Sequence, residues 1–336
     1  MSDTRSVRWL LGLLGGAFAL RAIARRRAHF SLKGKVVVVT GGARGLGLVL
    51  ARELADRGAK LVLVARDPHT LAEAHRELEE RGADVLAVPC DVRDPSDVRQ
   101  MVAAARATFG RIDALVNGAG EIEVGPLETM TLDDYARSMD THFWGPLRTM
   151  RAVIDERRAR KSGRIVNIAS IGGLSAVPHL SPYSASKHAL VGLSDAIAAE
   201  LAPHGIRVST ICPGLMRTGS PRNARFKGNA AAEYRWFAIG DTLPFTAMRA
   251  RRAARRIADA IERGEPFVVI GLQARAAWLL RALFPKLFAR LSALAARLLP
   301  AAAPGSAHAA WGWEAGPSYS PRSAFKNNEL GWVPHT

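Results

Sequence analysis

The chain contains 336 residues, 48% of them hydrophobic, so it is long enough to bury a substantial core. Its two cysteines, Cys90 and Cys212, lie far apart in apolar runs, which argues against a disulfide framework and favours a reducing compartment. Much of the formal net charge of +17 lies beside apolar runs near the two ends, a pattern that favours an anionic membrane surface over nucleic acid. Zinc-ligand spacing and RNA-binding signatures are absent, so we expect neither a metal site nor a nucleic-acid partner.

Residues 1–30 combine an apolar run with flanking arginines. The run Trp9–Leu20 (WLLGLLGGAFAL) is shorter than the roughly 20 residues that a membrane-spanning helix needs. Snorkelling of Arg21 would lengthen it, and we favour a membrane anchor on a cytoplasmic protein. Two alternatives stay open: a signal peptide cleaved near residues 17–19, against which the arginines at 25–27 argue, and an amphipathic extension packed on the main domain.

Residues 31–272 alternate strand and helix patterns and are predicted to form the main domain. Short β-branched runs are typical of buried strands, and helix-length segments separate them. Seven strands are predicted, at Lys35–Thr40, Lys60–Ala65, Val85–Cys90, Ile112–Asn117, Arg164–Ser170, Ile206–Cys212 and Pro266–Ile270. This alternation predicts an α/β fold with a doubly wound, Rossmann-type parallel sheet, which binds ligands beyond the carboxyl ends of its strands.

The turn after the first strand is rich in glycine and reads TGGARGLG over residues 40–47. Gly41, Gly45 and Gly47 would permit a tight turn and let a pyrophosphate approach the backbone at a helix N-terminus. A purely structural turn is the alternative, so the hypothesis of a dinucleotide site depends on the residues at the ends of the neighbouring strands.

Two arginines favour NADP(H) over NAD(H). Enzymes that use NAD place an acid at the end of the second strand, for the ribose hydroxyls, whereas this chain has Ala65 followed by Arg66. Arg44 in the glycine turn could bring a second guanidinium to a ribose 2′-phosphate, which guanidinium groups bind in bidentate fashion. Asp67 is interpreted as a helix N-cap in front of a proline. The alternative is that both arginines are solvated surface residues.

Two further strand ends carry predicted cofactor contacts. Asp91 follows the third strand, where a carboxylate can accept a hydrogen bond from the adenine amine. The fourth strand ends in Asn117-Gly118-Ala119-Gly120, where small residues let the backbone approach a ligand closely. Asn117, Ala119 and Gly120 are therefore predicted to bind the cofactor.

The strongest chemical signal lies between residues 165 and 189. Ser170 ends the fifth strand, and Tyr183 precedes Lys187 by four residues, which places both side chains on one face of a helix. A neighbouring ammonium favours the phenolate, so we expect a lowered pKa for Tyr183 and a role as general acid or base toward a carbonyl or alcohol. Ser170 would hold the substrate oxygen, Lys187 would also bind the nicotinamide ribose, and the cofactor would carry the hydride.

These motifs resemble those of the short-chain dehydrogenase/reductase family over about residues 32–270. The matching residues are Thr40-Gly41-x-x-x-Gly45-x-Gly47, Asp91, Asn117-x-Ala119-Gly120, Ser170, Tyr183-x-x-x-Lys187 and Pro213-Gly214-x-x-x-Thr218. The resemblance implies that Pro213, Gly214 and Thr218 hold the nicotinamide, with Thr218 near its carboxamide. It also implies a homodimer or homotetramer, because helices near residues 131–158 and 181–202 pair between subunits in many members.

One position departs from the family pattern. His142, in the run DTHFWG, stands where the family usually has an asparagine that supports a water relay to the catalytic lysine. An imidazole can donate or accept a hydrogen bond, so His142 is a candidate catalytic-support residue. A purely structural histidine is the alternative.

The long connection between Thr218 and Met248 would be the substrate lid in this family. Its aromatic residues predict an apolar, lipid-, steroid- or xenobiotic-like carbonyl or alcohol substrate, with a small core beneath a loop as the alternative. These residues are Phe226, Tyr234, Trp236, Phe237 and Phe245. The predicted protein is an NADP(H)-dependent oxidoreductase acting on CH–OH donors; a non-catalytic NADP(H)-binding scaffold or sensor at a membrane is the alternative.

The C-terminal part continues beyond the predicted sheet. Residues 273–300 place leucines on one helical face between basic residues, and Pro285 is expected to kink or split the helix. Such an amphipathic extension fits a membrane interface as well as it fits packing on the main domain or on a second subunit. Residues 301–336 are rich in Ala, Gly, Ser and Pro and are predicted to form a loose tail.

Overall fold

The computed structural model describes residues 30–242, 247–302 and 308–316. Its centre is a parallel sheet of seven strands, which confirms the predicted fold class. The strands are β1 Val36–Thr40, β2 Lys60–Ala65, β3 Val85–Pro89, β4 Ala114–Asn117, β5 Gly163–Ile168, β6 Ile206–Pro213 and β7 Phe267–Ile270. Across the sheet they are ordered β7-β6-β5-β4-β1-β2-β3, so the strand order reverses between β1 and β4.

Helices cover both faces of the sheet. In chain order, the helices of the described residues are α1 Gly45–Asp56, α2 Pro68–Glu80, α3 Pro95–Phe109, α4 Leu132–Met139, α5 Gly145–Arg160, α6 Ser181–Leu201, α7 Ser220–Asn223, α8 Ala230–Thr242, α9 Ala250–Arg263, α10 Leu272–Leu283, α11 Pro285–Ala296 and α12 Gly312–Ala315. Asp67 accepts a hydrogen bond from the backbone N–H of His69 and caps α2, as its position before Pro68 predicts.

The strands are largely apolar because each face of the sheet packs on a separate core. In β1 all five residues are buried, and successive side chains point to opposite sides. Val37 and Val39 join the core beneath α1 and α9, whereas Val36 and Val38 join the core beneath α3 and α5. Burial on both sides is what distinguishes such a parallel sheet from an amphipathic antiparallel one.

The strand register brings the predicted motifs to one edge of the sheet. Thr40, the last residue of β1, is aligned with Val64 of β2 and with Asn117 of β4. Asn117 is in turn aligned with Asn167 of β5. Because the strands are parallel, all their following turns lie at this carboxyl edge, and the reversal of strand order between β1 and β4 leaves a crevice there.

Above this edge, residues 216–242 and 247–249 form a lid that rests on a small core of its own. The two-residue strand Arg225–Phe226 pairs with Glu123–Val124 on one side and with Ala310–Trp311 on the other. The expectation of a loose tail from residue 301 onward therefore fails for residues 308–316, which add a strand and α12 to the lid. Backbone pairing holds this segment, and composition alone does not reveal such pairing.

The C-terminal extension consists of two helices, because α10 ends at Leu283 and α11 begins at Pro285, as predicted. Helix α10 contacts the domain through Ala274, which is buried, and Trp278, whose ring packs on Phe267. Helix α11 has no buried residue. Among the described residues, no helix is long and apolar enough to cross a membrane. The proposed anchor at residues 9–20 lies outside the described residues.

Candidate active site

A cavity of about 360 Å³ opens at the carboxyl edge of the sheet, beneath the lid. All but one of the sequence-predicted site residues line it. They are Gly41, Arg44, Gly45, Gly47, Arg66, Asp91, Ala119, Gly120, His142, Ser170, Tyr183, Lys187, Pro213, Gly214 and Thr218.

Asn117 is the exception, because its side chain lies beneath the cavity. It is buried, its amide donates to Asn167 Oδ1 (2.8 Å), and its oxygen accepts from Thr149 Oγ1 (2.7 Å). These bonds join β4 to β5 and α5. The structure therefore gives Asn117 the surroundings of a scaffold residue and not of a direct cofactor contact.

The glycine turn is shaped for close approach of backbone to backbone. A Cβ on Gly47 would lie 2.0 Å from the carbonyl oxygen of Gly41, a distance at which no side chain is tolerated. Thr40 Oγ1 accepts from the N–H groups of Gly118 (3.0 Å) and Ala119 (3.1 Å), so the turns after β1 and β4 are fastened together. This contact closes the floor of the crevice at the strand reversal.

The N-terminus of α1 faces the cavity without a side-chain cap. Its N-cap residue, Arg44, makes no capping hydrogen bond, and the space that a Cβ would occupy on Gly45 has no atom closer than 3.9 Å. Uncapped N–H groups and the positive end of the helix dipole attract phosphate oxygens. A dinucleotide pyrophosphate therefore fits this end of the cavity.

Two guanidinium groups flank the same end. Arg44 Nη1 donates to Asn223 Oδ1 at 2.7 Å. Burial, followed by the charge of Arg66, lowers the pKa of Arg44. In the described part of the chain neither arginine forms an ion pair with a carboxylate. Such a pair of guanidinium groups is suited to a dianionic ligand group.

Asp91 stands at the opposite wall of this end of the cavity. Burial acts to raise the pKa of Asp91, but its hydrogen bonds with Arg93 outweigh this, and the pKa is lowered. The closest contact joins Arg93 Nη2 to Asp91 Oδ2 at 2.6 Å. The carboxylate is thus ionised and can accept a further hydrogen bond, although part of its capacity is taken by Arg93.

Ser170, Tyr183 and Lys187 converge at the deep end of the cavity. Ser170 follows β5, and the Tyr183 hydroxyl forms a hydrogen bond with its side chain. Tyr183 and Lys187 lie one turn apart on α6, with Lys187 Nζ 5.7 Å from the centre of the tyrosine ring. Lys187 Nζ also donates to the carbonyl oxygen of Ile168 at 2.9 Å, which fixes the ammonium against the end of β5.

The expected lowering of the Tyr183 pKa is wrong for this structure. Burial raises the pKa of Tyr183 to about 12, more than the hydrogen bond from Ser170 lowers it. The same burial lowers the pKa of Lys187 to about 8. Both shifts have one cause, since a site with little water disfavours the charged form of each group.

His142 lies in a single π-helical turn, Asp140–Trp144, between α4 and α5. Its Nδ1 is 2.8 Å from Ser186 Oγ, and the N–H of Glu121 donates to Nε2 at 3.2 Å. Burial and then the charge of Lys187 lower the pKa of His142 well below its usual value, so the ring is neutral. Because Nε2 accepts, the proton belongs on Nδ1, and the single lone pair of Nε2 is already engaged.

An apolar wall lies beside the tyrosine. Phe237 of the lid lines the cavity together with Val177 and Leu180, which precede α6. Of the other predicted aromatic residues, Phe226 and Tyr234 are buried in the core of the lid, Trp236 is partly buried against that core, and Phe245 lies outside the described residues. For Phe226 and Tyr234 the structural interpretation therefore holds.

Asn223 and Asp241 are among the polar residues of the site that the sequence analysis does not predict. Asn223 binds Arg44, and Asp241 lines the cavity near Tyr183. Neither belongs to a motif, and their involvement results only from the way the lid folds over the sheet. No group of three or more His, Cys, Asp or Glu side chains in the described residues is arranged to hold a metal ion.

The strand order, the glycine turn and the crevice at the strand reversal define a dinucleotide-binding Rossmann-type protein. Residues 35–227 match the family model described as short chain dehydrogenase. The chain therefore belongs to the short-chain dehydrogenase/reductase family and is an oxidoreductase that uses a nicotinamide cofactor.

Individual relatives include enzymes of polyketide synthesis. The chain is 41% identical over 192 residues to granaticin polyketide synthase putative ketoacyl reductase 1 of Streptomyces violaceoruber, which covers 56% of this chain and 71% of that protein. Among solved structures, a short chain dehydrogenase/reductase from Burkholderia phymatum in complex with NAD has a TM-score of 0.70 and 27% identity, covering 77% of this chain and 96% of that one. A variant of actinorhodin polyketide ketoreductase with NADPH has a TM-score of 0.64 and 29% identity, covering 70% and 95%.

Proposed function

We propose that the protein transfers a hydride between NADP(H) and the carbonyl or alcohol carbon of an apolar substrate. The observation that carries this proposal is the convergence of Ser170, Tyr183 and Lys187 at the buried end of a cavity whose other end presents a bare helix N-terminus. Relatives named as ketoacyl reductase and polyketide ketoreductase support a carbonyl group as the reacting centre.

In the proposed mechanism, the carbonyl carbon would receive the hydride that a nicotinamide cofactor supplies when bound. Tyr183 holds a proton on its phenolic oxygen at neutral pH, because burial raises its pKa, and it donates this proton to the carbonyl oxygen. Ser170 Oγ donates a hydrogen bond to the same oxygen. Lys187 stabilises the phenolate that remains, and with a pKa of about 8 it is still largely protonated at pH 7. Alcohol oxidation is the reverse sequence.

The preference for NADP(H) rests on Arg44 and Arg66. Both line the adenosine end of the cavity, and no acid directly follows β2 to bind ribose hydroxyls. A 2′-phosphate would accept charge-assisted hydrogen bonds from both guanidinium groups and would offset the burial and the repulsion by Arg66 that together lower the pKa of Arg44. Asp91, Ala119 and Gly120 would contact the adenosine part.

The remaining predicted contacts would surround the nicotinamide. Pro213, Gly214 and Thr218 line the cavity next to the catalytic groups, and Thr218 Oγ1 lies 2.5 Å from Ser220 Oγ. We propose that they hold the nicotinamide ring, with Thr218 at its carboxamide. Lys187, which borders the same space, would bind the nicotinamide ribose.

His142 is proposed to act as a positioning residue. Its ring bridges Glu121 and Ser186, and Ser186 Oγ donates in turn to the carbonyl oxygen of Tyr183 (2.9 Å). The neutral imidazole thereby fixes the first turn of α6 while adding no charge beside Lys187. A direct part in a proton relay would require Nε2 to release the Glu121 N–H.

The proposed reaction is tested with purified full-length protein, NADPH and NADH, and a panel of apolar ketones, aldehydes and alcohols. Cofactor binding is followed by fluorescence and turnover by nicotinamide absorbance, with Tyr183→Phe as the comparison. We expect tight NADPH binding in both proteins and turnover only in the unmodified one. Tight binding without turnover of any substrate would favour the alternative of a non-catalytic NADP(H)-binding scaffold or sensor.

The exposed residues of α11 and of the end of α10 support an association with an anionic membrane surface. Helix α11 and its flanks expose apolar side chains between basic ones, and no acidic residue occurs from 266 to 313. The exposed apolar residues are Leu283, Phe284, Leu287, Leu291, Leu294 and Leu298, and the exposed basic residues are Arg281, Lys286, Arg290 and Arg297. Basic amphipathic helices of this kind lie in the headgroup region of bilayers. Residues 1–30 would provide a second attachment.

Flotation with vesicles of neutral or anionic lipids tests this association. We expect binding that requires anionic lipid and falls when Leu287, Leu291 and Leu294 are changed together to Ser. Leu272→Ser is the matched control, because Leu272 is 82% exposed at the start of α10, outside this surface. Deleting residues 1–30 separates the contribution of the N-terminal run.

The oligomeric state is proposed to be a homodimer or homotetramer by resemblance to the family. Light scattering of the full chain measures it, and repeating the measurement on the triple serine variant shows whether α11 takes part. If the triple serine variant loses the association between subunits but still binds membranes, the exposed face of α11 contacts a second copy of the chain.

A further inference from the structure

Asp241 is a buried carboxylate in the wall of the cavity. It lies on the lid helix α8 and is 4% exposed, and its Oδ2 has no hydrogen-bond partner among the described residues. The carboxylate does receive a hydrogen bond from the backbone N–H of Met216. Burial raises the pKa of Asp241 to about 7. No cation of the described residues forms an ion pair with Asp241, so this part of the chain does not compensate its burial.

The position of Asp241 links it to the reacting end of the cavity. It lines the same cavity as Tyr183, and its charge is one of the causes that raise the pKa of Tyr183. The residues next to it in the wall, Phe237, Leu215 and Met216, are apolar. An unpaired carboxylate oxygen beside apolar side chains can fix one polar group of a ligand, since ligand pockets combine a mostly apolar lining with a few polar groups.

We propose that Asp241 accepts a hydrogen bond from a hydroxyl or amino group of the substrate that is separate from the carbonyl reacting at Tyr183. This inference rests on the proposed function and deepens it, because it assigns the substrates to the class of apolar carbonyl compounds bearing a second, hydrogen-donating substituent. The apolar wall holds the carbon skeleton, and Asp241 sets its orientation. Parent compounds without the substituent leave the buried oxygen unpaired and are disfavoured.

The test compares hydroxylated, aminated and parent ketones in four forms of the full-length protein. The ketones are acetophenone, its three hydroxy isomers, its three amino isomers, cyclohexanone and 4-hydroxycyclohexanone. The proteins are the unmodified chain, Asp241→Asn, Asp241→Leu and Asp155→Asn, an exposed acid on α5 that serves as the matched control. The readouts are kcat/KM with NADPH, the quenching of NADPH fluorescence by each ketone, and the Kd of NADPH alone.

We expect at least one substituted ketone to exceed its parent by roughly ten- to a hundredfold in kcat/KM or affinity. Asp241→Leu should remove this preference, while Asp155→Asn should keep it. Asp241→Asn retains an oxygen acceptor without the charge, and hydroxyl and neutral aryl amino groups both donate hydrogen bonds, so this variant should keep a weakened preference for both. The asparagine variant is nearly isosteric and decides the question if the leucine variant fails to fold, since an undiminished preference in it would overturn the proposal.

Equal treatment of substituted and parent ketones by the unmodified chain would overturn the proposal. So would a preference that survives in Asp241→Leu. A rise in the Kd of NADPH in the Asp241 variants, with ketone preference unchanged, would assign the oxygen to the nicotinamide carboxamide and also overturn it. If no ketone is turned over, the proposed function fails, but the fluorescence comparison still decides whether Asp241 selects the ligand.

Discussion

Replacing Arg44 with alanine tests the structural basis of cofactor choice. In the structure this guanidinium is buried beside Arg66, and its only hydrogen bond within the described residues goes to Asn223. A charge-assisted hydrogen bond to a 2′-phosphate contributes about 1.5–3 kcal/mol. Its loss should weaken NADPH binding by roughly 10- to 150-fold, since each 1.36 kcal/mol is a factor of ten. NADH, which lacks the phosphate, should bind with unchanged or slightly better affinity, because the repulsion between the two arginines disappears.

The assay is a fluorescence titration of each protein with NADPH and NADH, read as the ratio of the two Kd values. Asn223→Ala is the control, since it removes the partner of Arg44 without removing its charge. Arg44→Lys keeps the charge but loses the planar guanidinium, so its ratio of Kd values should fall between those of Asn223→Ala and Arg44→Ala. An equal loss of affinity for both cofactors, or an unchanged ratio, would refute the reasoning and make Arg44 a support of the turn.

Three further predictions concern the deep end of the site and the glycine turn. Between pH 8 and 10, the free energy of unfolding should rise more steeply with pH in the unmodified chain than in Lys187→Met. The pKa of Lys187 is about 8 in the folded chain and higher in the unfolded chain, so the cost of burying the ammonium disappears over this pH range. His142→Ala should cost about 1–3 kcal/mol in urea unfolding, since the N–H of Glu121 and the buried hydroxyl of Ser186 each lose a hydrogen bond, whereas His142→Asn should cost less and keep kcat. Gly47→Ala should abolish NADPH binding or folding, because the added Cβ would lie 2.0 Å from the carbonyl oxygen of Gly41. As a control, Gly192→Ala adds a Cβ that meets no atom within 4 Å, and it should stabilise α6 by roughly 0.5–1 kcal/mol.

Each of these predictions has an outcome that contradicts it. Parallel pH dependence of the two proteins would mean that Lys187 is solvated in the folded state. A loss of kcat in His142→Asn without loss of stability would give the imidazole a direct part in proton transfer. Normal cofactor binding by Gly47→Ala would show that the turn can open, contrary to the tight packing in the structure.

The sequence by itself determined the sheet and the position of the motifs. Each strand is a short run of apolar residues, and each motif comes after the end of such a run, so local pattern is sufficient to order them along the chain. The alignment of Thr40 with Asn117 is then a consequence of parallel pairing. The split at Pro285 and the cap at Asp67 are also local, because backbone geometry and a neighbouring N–H decide them.

Only the tertiary structure decided which polar groups are buried and with whom. The spacing of Tyr183 and Lys187 predicts that the ammonium stabilises the phenolate. Burial instead raises the pKa of Tyr183 and lowers that of Lys187, so it favours the neutral form of each. The motif predicts that Asn117 contacts the cofactor, yet its side chain lies under the cavity. Asp241 lines the cavity, although nothing in the sequence predicts it as a site residue. Burial depends on segments far apart in the chain closing over one another. Local spacing predicts which residues share an edge of the sheet, but it carries no information about what covers them.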